Sequence, residues 1–331
     1  ERRAPRGGEA PPPGKWEWTL NWDPIVYDKT AREPLYALVN PTDDAAMKIT
    51  HVLRGEDLLS STPRQIALYE AMIDLEVFDG PVPQFGHLPY VMGEGNKKLS
   101  KRDPESSLQM YRDRGYLPEA LTNYLALLGW SPGGDVEFFS KEQMAQSFLL
   151  ERGNPKPARF DVKKCTAING DWIRHLAIDD LVERLVPYLQ RDGVIGSTPS
   201  AEDMNLVRAV VPLISERLET LGQASAMVGF LFTDDIAIDA GDAEKIMGDQ
   251  ADDVLREAEA ALAGLDEWTT EAIERALRAT LIEERGLKPK VAFGPVRLAI
   301  TGRRVSPPLF ESMELLGADR SLSRIRSLHA S

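Results

Sequence analysis

Residues 93–102 read Gly93-Glu94-Gly95-Asn96-Lys97-Lys98-Leu99-Ser100-Lys101-Arg102, with four basic side chains in the last six positions. Glycine frees the backbone, and lysine is a mobile point charge suited to phosphate oxygens. The chemistry on offer is the wrapping of a polyphosphate. The segment is no P-loop, because the Gly-x-x-x-x-Gly-Lys-Ser/Thr spacing is missing; a solvated basic surface is the competing reading. A second constellation is Thr50-His51-Val52-Leu53-Arg54-Gly55-Glu56-Asp57. An arginine at the carboxyl end of an apolar strand, followed by glycine, sits where open parallel sheets bind ligands. Its planar fork matches a carboxylate or phosphate, although an ion pair with Glu56 or Asp57 would also explain it. A third segment, Phe85-Gly86-His87-Leu88-Pro89-Tyr90-Val91, offers a strand for a purine ring to lie against, while His87 reads equally well as a satisfied core histidine. No Ser-His-Asp or Cys-His set can be assembled, so a reaction here uses a nucleophile that the substrate brings.

Elements must hold these residues in place. Leu35–Val39 and Ile49–Leu53 read as apolar strands, and Phe85–Met92 as a third. Between the last two, Thr62 suits an N-cap, Pro63 the first helical position and Gln65 the reciprocal cap, with Ile66, Tyr69 and Ile73 at helical spacing. Strand, helix, strand at this length implies a βαβ unit and a parallel sheet. Beyond it the pattern turns helical. Pro118 opens a helix that Gly129 stops, and Ser140 to Gln143 form a capping box behind Phe139. Thr269 or Thr270 caps a helix through Ile273, Ala276, Leu277 and Leu281 to Gly286, and Leu309–Leu316 is a final helix.

The 331 residues suggest two or three domains. At 43% apolar and 27% charged residues the composition is that of a globular protein. No apolar run nears the roughly 20 residues that span a bilayer, so a membrane protein is excluded. The single cysteine, Cys165, excludes an internal disulfide or a thiolate zinc cluster and reads as a buried small hydrophobe, in keeping with the reduced cytoplasm. Four histidines without metal-ligand spacing argue against zinc. The net charge of −13 argues against a sequence-independent nucleic-acid coat. The charge is uneven, however. Residues 234–253 hold eight acids and one lysine, whereas 285–304 hold six basic residues and no acid. That swing suggests a face built for an anion. Residues 1–15 are rich in proline, glycine and charge, with no apolar stretch of a signal peptide.

Taken together these segments resemble the bacterial glutamyl-tRNA synthetases, class I aminoacyl-tRNA synthetases, and among them the actinobacterial type. Lys98-Leu99-Ser100-Lys101-Arg102 is similar to that family's KMSKS signature. The residues from Pro34 to Asp44, Ile49 to Asp57, Ser61 to Gln65, Gly115 to Leu121, Tyr124 to Trp130 and Val305 to Glu311 match its pattern. The likeness runs from about residue 33 to the end, and residues 1–32 carry no convincing match. The implied fold is α/β plus all-α: the C-terminal half of a class I Rossmann catalytic domain, a mixed stem-contact connector and an α-helical anticodon-binding domain. The expected limits are a lead over 1–20, a partial Rossmann domain over 21–93, a connector with the KMSKS-type loop over 94–175, and the helical domain over 176–331. The chain reads as truncated, without the family's HIGH-type motif, and a half sheet would expose an apolar edge.

The resemblance further implies an enzyme that joins glutamate to tRNA(Glu) through a glutamyl-adenylate, using ATP and Mg²⁺ and no zinc, as a cytoplasmic monomer. It gives catalytic roles to Lys98, Ser100, Lys101 and Arg102. ATP contacts fall to Lys101, Asp57, His87, Leu88 and Val91, glutamate contacts to Tyr36 and Arg54, and anticodon reading to Arg217. The basic stretch at 285–304 becomes an RNA-backbone contact from which the acidic segment stays away. The alternative is a non-catalytic tRNA-binding fragment of such a ligase.

Overall fold

The computed structural model describes residues 33–329 apart from 94–96, 101–102, 104–105 and 155. Lys101 and Arg102, and the lead over 1–20, therefore lie outside the described residues. The chain forms two compact units. Of the described residues, one comprises those within 33–99, 128–131 and 149–160; the other comprises those within 100–127, 132–148 and 161–329.

The first unit begins with helix α1 (Tyr36–Ala46), where an apolar strand was expected. Five apolar residues in a row do not distinguish strand from helix. What decides is the spacing further on, since Pro41 and Ala45, four apart, are the buried positions of α1. Strand β1 (His51–Gly55) follows, then a 3₁₀ turn over Glu56–Ser61, helix α2 (Thr62–Asp74) and strand β2 (Gln84–Leu88). The βαβ expectation holds, because β1 and β2 pair in parallel with Arg54 opposite His87. The expected single strand over Phe85–Met92 is broken at Pro89, whose missing N–H cannot serve a ladder. Its remainder, β3 (Val91–Met92), pairs instead with β4 (Ala158–Arg159). The core here is small: Ala45, Tyr69 and Met72, flanked by Leu68, Phe78, Val82 and Phe85. Leu53 and Leu88 remain 46% and 48% exposed, the apolar edge expected of a short sheet.

The second unit is helical. It contains α3 (Leu108–Arg114), α4 (Pro118–Leu127), α5 (Lys141–Ser147), α6 (Val162–His175), α7 (Ile178–Arg191), α8 (Ala201–Ile214) and α9 (Ala224–Val228). Then come α10 (Ala240–Ile246), α11 (Ala251–Ala263), α12 (Thr270–Leu277), α13 (Pro289–Thr301), α14 (Leu309–Leu316) and α15 (Ala318–His329). The capping box at Ser140 and Gln143 is formed, and Thr269 caps α12 by accepting from the Ala272 N–H. Leu181, Leu185 and Leu189 of α7 are at most 1% exposed, the i, i+4 stripe of a helix packed on one face. After Leu277 the helix widens into a π-helical stretch, Arg278–Glu284, that keeps Leu281 fully buried and ends at Gly286 with φ +70°. Cys165 is buried, and burial pushes its thiol up to about 12. No helix among the described residues is long and apolar enough to cross a membrane.

Two close approaches tie the start of this unit to its helical body. Gly115 ends α3 with φ +86°, and a Cβ there would lie 2.5 Å from the Gly222 nitrogen. Only glycine meets both the left-handed conformation and the space. Fully buried Asn169 accepts from the Leu117 N–H at 2.7 Å and donates to the Glu219 carbonyl at 2.6 Å. Asn169→Ala orphans both backbone groups. At roughly 1–3 kcal/mol for each unsatisfied buried group, it is expected to lower unfolding free energy by about 2–4 kcal/mol, read from the denaturant midpoint at unchanged slope.

Candidate functional sites

Arg54 projects from the end of β1, and its five N–H groups meet five acceptors. Its Nε donates to His87 Nε2 at 3.4 Å. One terminal nitrogen, Nη1, donates to the Gln65 Oε1 at 2.6 Å and the Tyr36 hydroxyl at 3.1 Å. The other, Nη2, donates to the Thr62 hydroxyl at 2.7 Å and the Leu58 carbonyl at 3.3 Å. The Phe85 ring lies 5.3 Å from the guanidinium carbon. All five acceptors are neutral. Among the described residues no carboxylate comes within ion-pair distance of Arg54, so the alternative of a pair with Glu56 or Asp57 is not what forms. Glu56 instead accepts weakly from the Tyr90 N–H at 3.4 Å, and the Asp57 carboxylate folds over Gly55, where a Cβ would collide with it. A half-buried cation without a counter-ion is costly and is placed to receive one.

Three elements converge on this arginine for local reasons. Parallel register puts His87 beside it. The first turn of α2 supplies Thr62 and Gln65, 8% and 1% exposed. These are the residues whose types suggested a helix cap. In the structure the N-cap is Ser61, which makes no side-chain cap, and Pro63 occupies the second helical position. Hydroxyl and amide groups that would satisfy a helix end satisfy a guanidinium instead. Helix α1 supplies Tyr36 and, one turn on, Asn40, which accepts from Gln65 Nε2 at 3.3 Å. Sequence reasoning missed Asn40, Thr62 and Gln65 as site residues.

Burial and the Arg54 charge both hold His87 below the ordinary imidazole value. Its Nε2 accepts from Arg54 and lies 3.0 Å from the Thr62 hydroxyl, so the neutral ring carries its proton on Nδ1. Burial raises Asp44, against the opposing pull of Arg54, and lifts Tyr69 to about 12.

The basic loop is described only at its flanks. Met92 and Lys98 bridge antiparallel, and Gly93 N–H donates to the Lys97 carbonyl at 2.7 Å. The Lys98 ammonium lies 3.6 Å from the centre of the Tyr90 ring, a cation–π contact. Ser100 N–H donates to the Asp103 carboxylate at 2.6 Å. Val91 is half-buried in β3, and Leu88 is exposed at the end of β2.

A second constellation lies in the helical unit. Arg217 donates to the Ser306 carbonyl at 2.6 Å. Arg297 donates to the Ser306 hydroxyl at 2.6 Å and the Pro307 carbonyl at 2.9 Å. Burial, then repulsion from Arg217, lowers the Arg297 value. Neither has a carboxylate within ion-pair distance among the described residues. Arg297 also lines a cavity of about 950 Å³ with Lys245, Lys290, Arg304, Asp249 and Phe293. Here one expectation fails: the acidic segment does not stay away from the basic stretch. Arg304 pairs with Asp242 at 3.6 Å, and Arg285 with Glu257 at 2.8 Å and Asp253 at 3.6 Å. The acids lie on α10 and α11, which pack against α13 and the π-helical stretch and bring opposite charges together.

Comparison with known proteins gives these sites a context. Residues 15–167 match the family model described as tRNA synthetases class I (E and Q), catalytic domain. Residues 180–328 match the anticodon binding domain. The first match begins at residue 15, ahead of residue 33 where the motifs placed the start of the likeness. A glutamate–tRNA ligase of Saccharopolyspora erythraea is 57% identical over 306 residues, 92% of this chain and 60% of that protein. One from a Nocardioides species is 56% identical over 297 residues, 89% of this chain and 60% of that protein. The crystal structure of a glutamate tRNA ligase from Elizabethkingia meningosepticum, in complex with its amino acid, superposes with a TM-score of 0.75 at 27% identity, covering 92% of this chain and 62% of that one. The chain thus spans about 60% of the length of the curated relatives it matches. By the two family models and these relatives, the chain belongs to the class I tRNA synthetases of the glutamate and glutamine type.

Proposed function

We propose that this chain carries out the glutamate-binding and tRNA-reading work of a glutamate–tRNA ligase. The observation that carries the reading is Arg54: a half-buried guanidinium at the carboxyl end of two parallel strands, held by neutral groups, with no carboxylate within ion-pair distance among the described residues. Glutamate supplies a carboxylate for it, with the Tyr36 hydroxyl beside the same nitrogen. A second carboxylate of glutamate attacks the α-phosphorus of ATP, expelling pyrophosphate and leaving glutamyl-adenylate; a hydroxyl at the 3′ end of tRNA(Glu) then attacks its acyl carbon, forming the ester and releasing AMP. No protein nucleophile is needed, and catalysis is positioning with stabilisation of the departing charge. Lys98, Ser100, Lys101 and Arg102 serve the triphosphate, while Asp57, His87, Leu88 and Val91 border the nucleoside. Mg²⁺ bound with ATP would neutralise its phosphates; among the described residues no three metal-ligating side chains gather. In the helical unit Arg217, Arg297 and the cavity suit a splayed base and its phosphate.

A second reading, a tRNA-binding fragment without ligase activity, is favoured by the unequal cores. The helical unit holds most of the buried apolar residues, whereas three form the core beside Arg54. Glutamate-dependent ATP–pyrophosphate exchange with tRNA(Glu) present separates the two. Exchange lost in Lys101→Ala establishes the ligase; tRNA retention without exchange establishes the fragment.

Arg54→Lys keeps the charge and loses the fork, and is expected to lower kcat/KM for glutamate in that exchange about 100-fold with tRNA binding unchanged. Arg217→Ala is expected to weaken filter-bound tRNA(Glu) about tenfold without altering the glutamate dependence. The depressed value of His87 fixes a sign. Between the ordinary value near 6.5 and its lower folded value, the unfolded chain binds more protons, so stability falls as pH is lowered through that window. His87→Gln is expected to flatten the dependence of the denaturant midpoint on pH between about 7 and 5.

A further inference from the structure

The amide of Gln65 has its orientation dictated from outside. A guanidinium only donates, so the atom facing Arg54 Nη1 at 2.6 Å is Oε1, and Nε2 is left to face Asn40 Oδ1 at 3.3 Å. Asn40 stands one turn before Asp44 on α1 and favours its ionised carboxylate. The series Arg54, Gln65, Asn40 is therefore fixed from the arginine end, and each link donates in the same sense. Turning either amide over would set two donors or two acceptors against each other inside the protein, which costs far more than one good bond supplies. Gln65 is 1% exposed, so water cannot relieve such a mismatch. The order has a consequence for a ligand. With its carbonyl committed to Gln65, Asn40 has only N–H left to offer, and Arg54 has only N–H by nature. Both groups of the site are donors.

We propose that Gln65 is a positioning residue that engages the carbonyl of Asn40, so that Asn40 presents donors beside those of Arg54, and so selects a ligand carboxylate over the corresponding amide. A carboxylate accepts at both oxygens; an amide sets its own NH₂ against one of the donors. The proposal rests on the reading of Arg54 as the glutamate site. Gln65 itself touches no substrate. It acts through Arg54, the proposed carboxylate contact, and through Asn40 beside it, from the helix turn where its residue type suggests a cap.

The test is calorimetric titration of glutamate and of glutamine into the full chain and two variants, with thermal unfolding of each alongside. Gln65→Met keeps the volume and removes the polarity. It is expected to weaken glutamate binding about tenfold while leaving glutamine nearly unchanged, so that their ratio collapses. A loss of packing alone would weaken both ligands together and overturn the proposal, as would a ratio within twofold of the parent's. Gln65→Glu keeps an acceptor for Arg54 and turns Asn40 to offer its carbonyl. It is expected to lose glutamate more than glutamine, and it decides the matter if Gln65→Met does not fold. A parent chain that binds neither ligand overturns the reading of the site and the proposal with it. A parent that prefers glutamate beside variants with the same preference overturns the proposal alone.

Discussion

A guanidinium carries five N–H groups in a rigid plane, and each must be bonded once water is withdrawn. At Arg54 that requirement organises a whole neighbourhood. It takes an acceptor from β2, two side chains and a carbonyl from the turn and helix after β1, and a hydroxyl from α1. None of the five carries a charge, so the hydrogen-bonding demand is met while the electrostatic demand is not. An internal carboxylate would have met both demands at once.

The helical unit uses arginine in a related manner for structural ends. Arg324 of α15 is 7% exposed and donates to the carbonyls of Ile300 at 2.7 Å and Phe230 at 2.8 Å, and also to that of Thr233. Burial lowers its value to about 10. It joins chain segments that end without regular partners. Arg217 and Arg297 do the same around Ser306 and Pro307, yet Arg297 also faces a cavity. Where such an arginine is sealed it serves stability, and where it borders open space the same chemistry serves binding. Arg285 and Arg304 differ again, since they neutralise acids on α10 and α11.

The two units rest on different physics. The helical unit has a continuous core of leucine, valine and isoleucine drawn from α7 to α15. The unit around Arg54 has two separate two-stranded sheets and few buried apolar residues, and its order depends more on directional bonds. Two strands alone are marginally stable in water. Polar networks give such a region a defined geometry when every member is satisfied, which is what a site for a small charged ligand needs.

Sequence alone determined the elements whose signal is local: the βαβ order, the helices opened by Pro118, Ser140 and Thr269, the helix over Leu309–Leu316, and the place of Arg54 at a strand end. Period, caps and breakers are short-range properties and survive in one dimension. Tertiary structure decided what depends on partners far along the chain. The Leu35–Val39 run became a helix because Pro41 and Ala45 found a buried face. Helix α15, polar and rich in arginine and serine, escaped notice because its burial of Arg324 relies on carbonyls some 24 and 94 residues away. Thr62 and Gln65 show the limit most clearly. Their side chains suit a helix cap and an arginine equally, and only the register of β1 with β2, bringing Arg54 over that turn, decides which they serve.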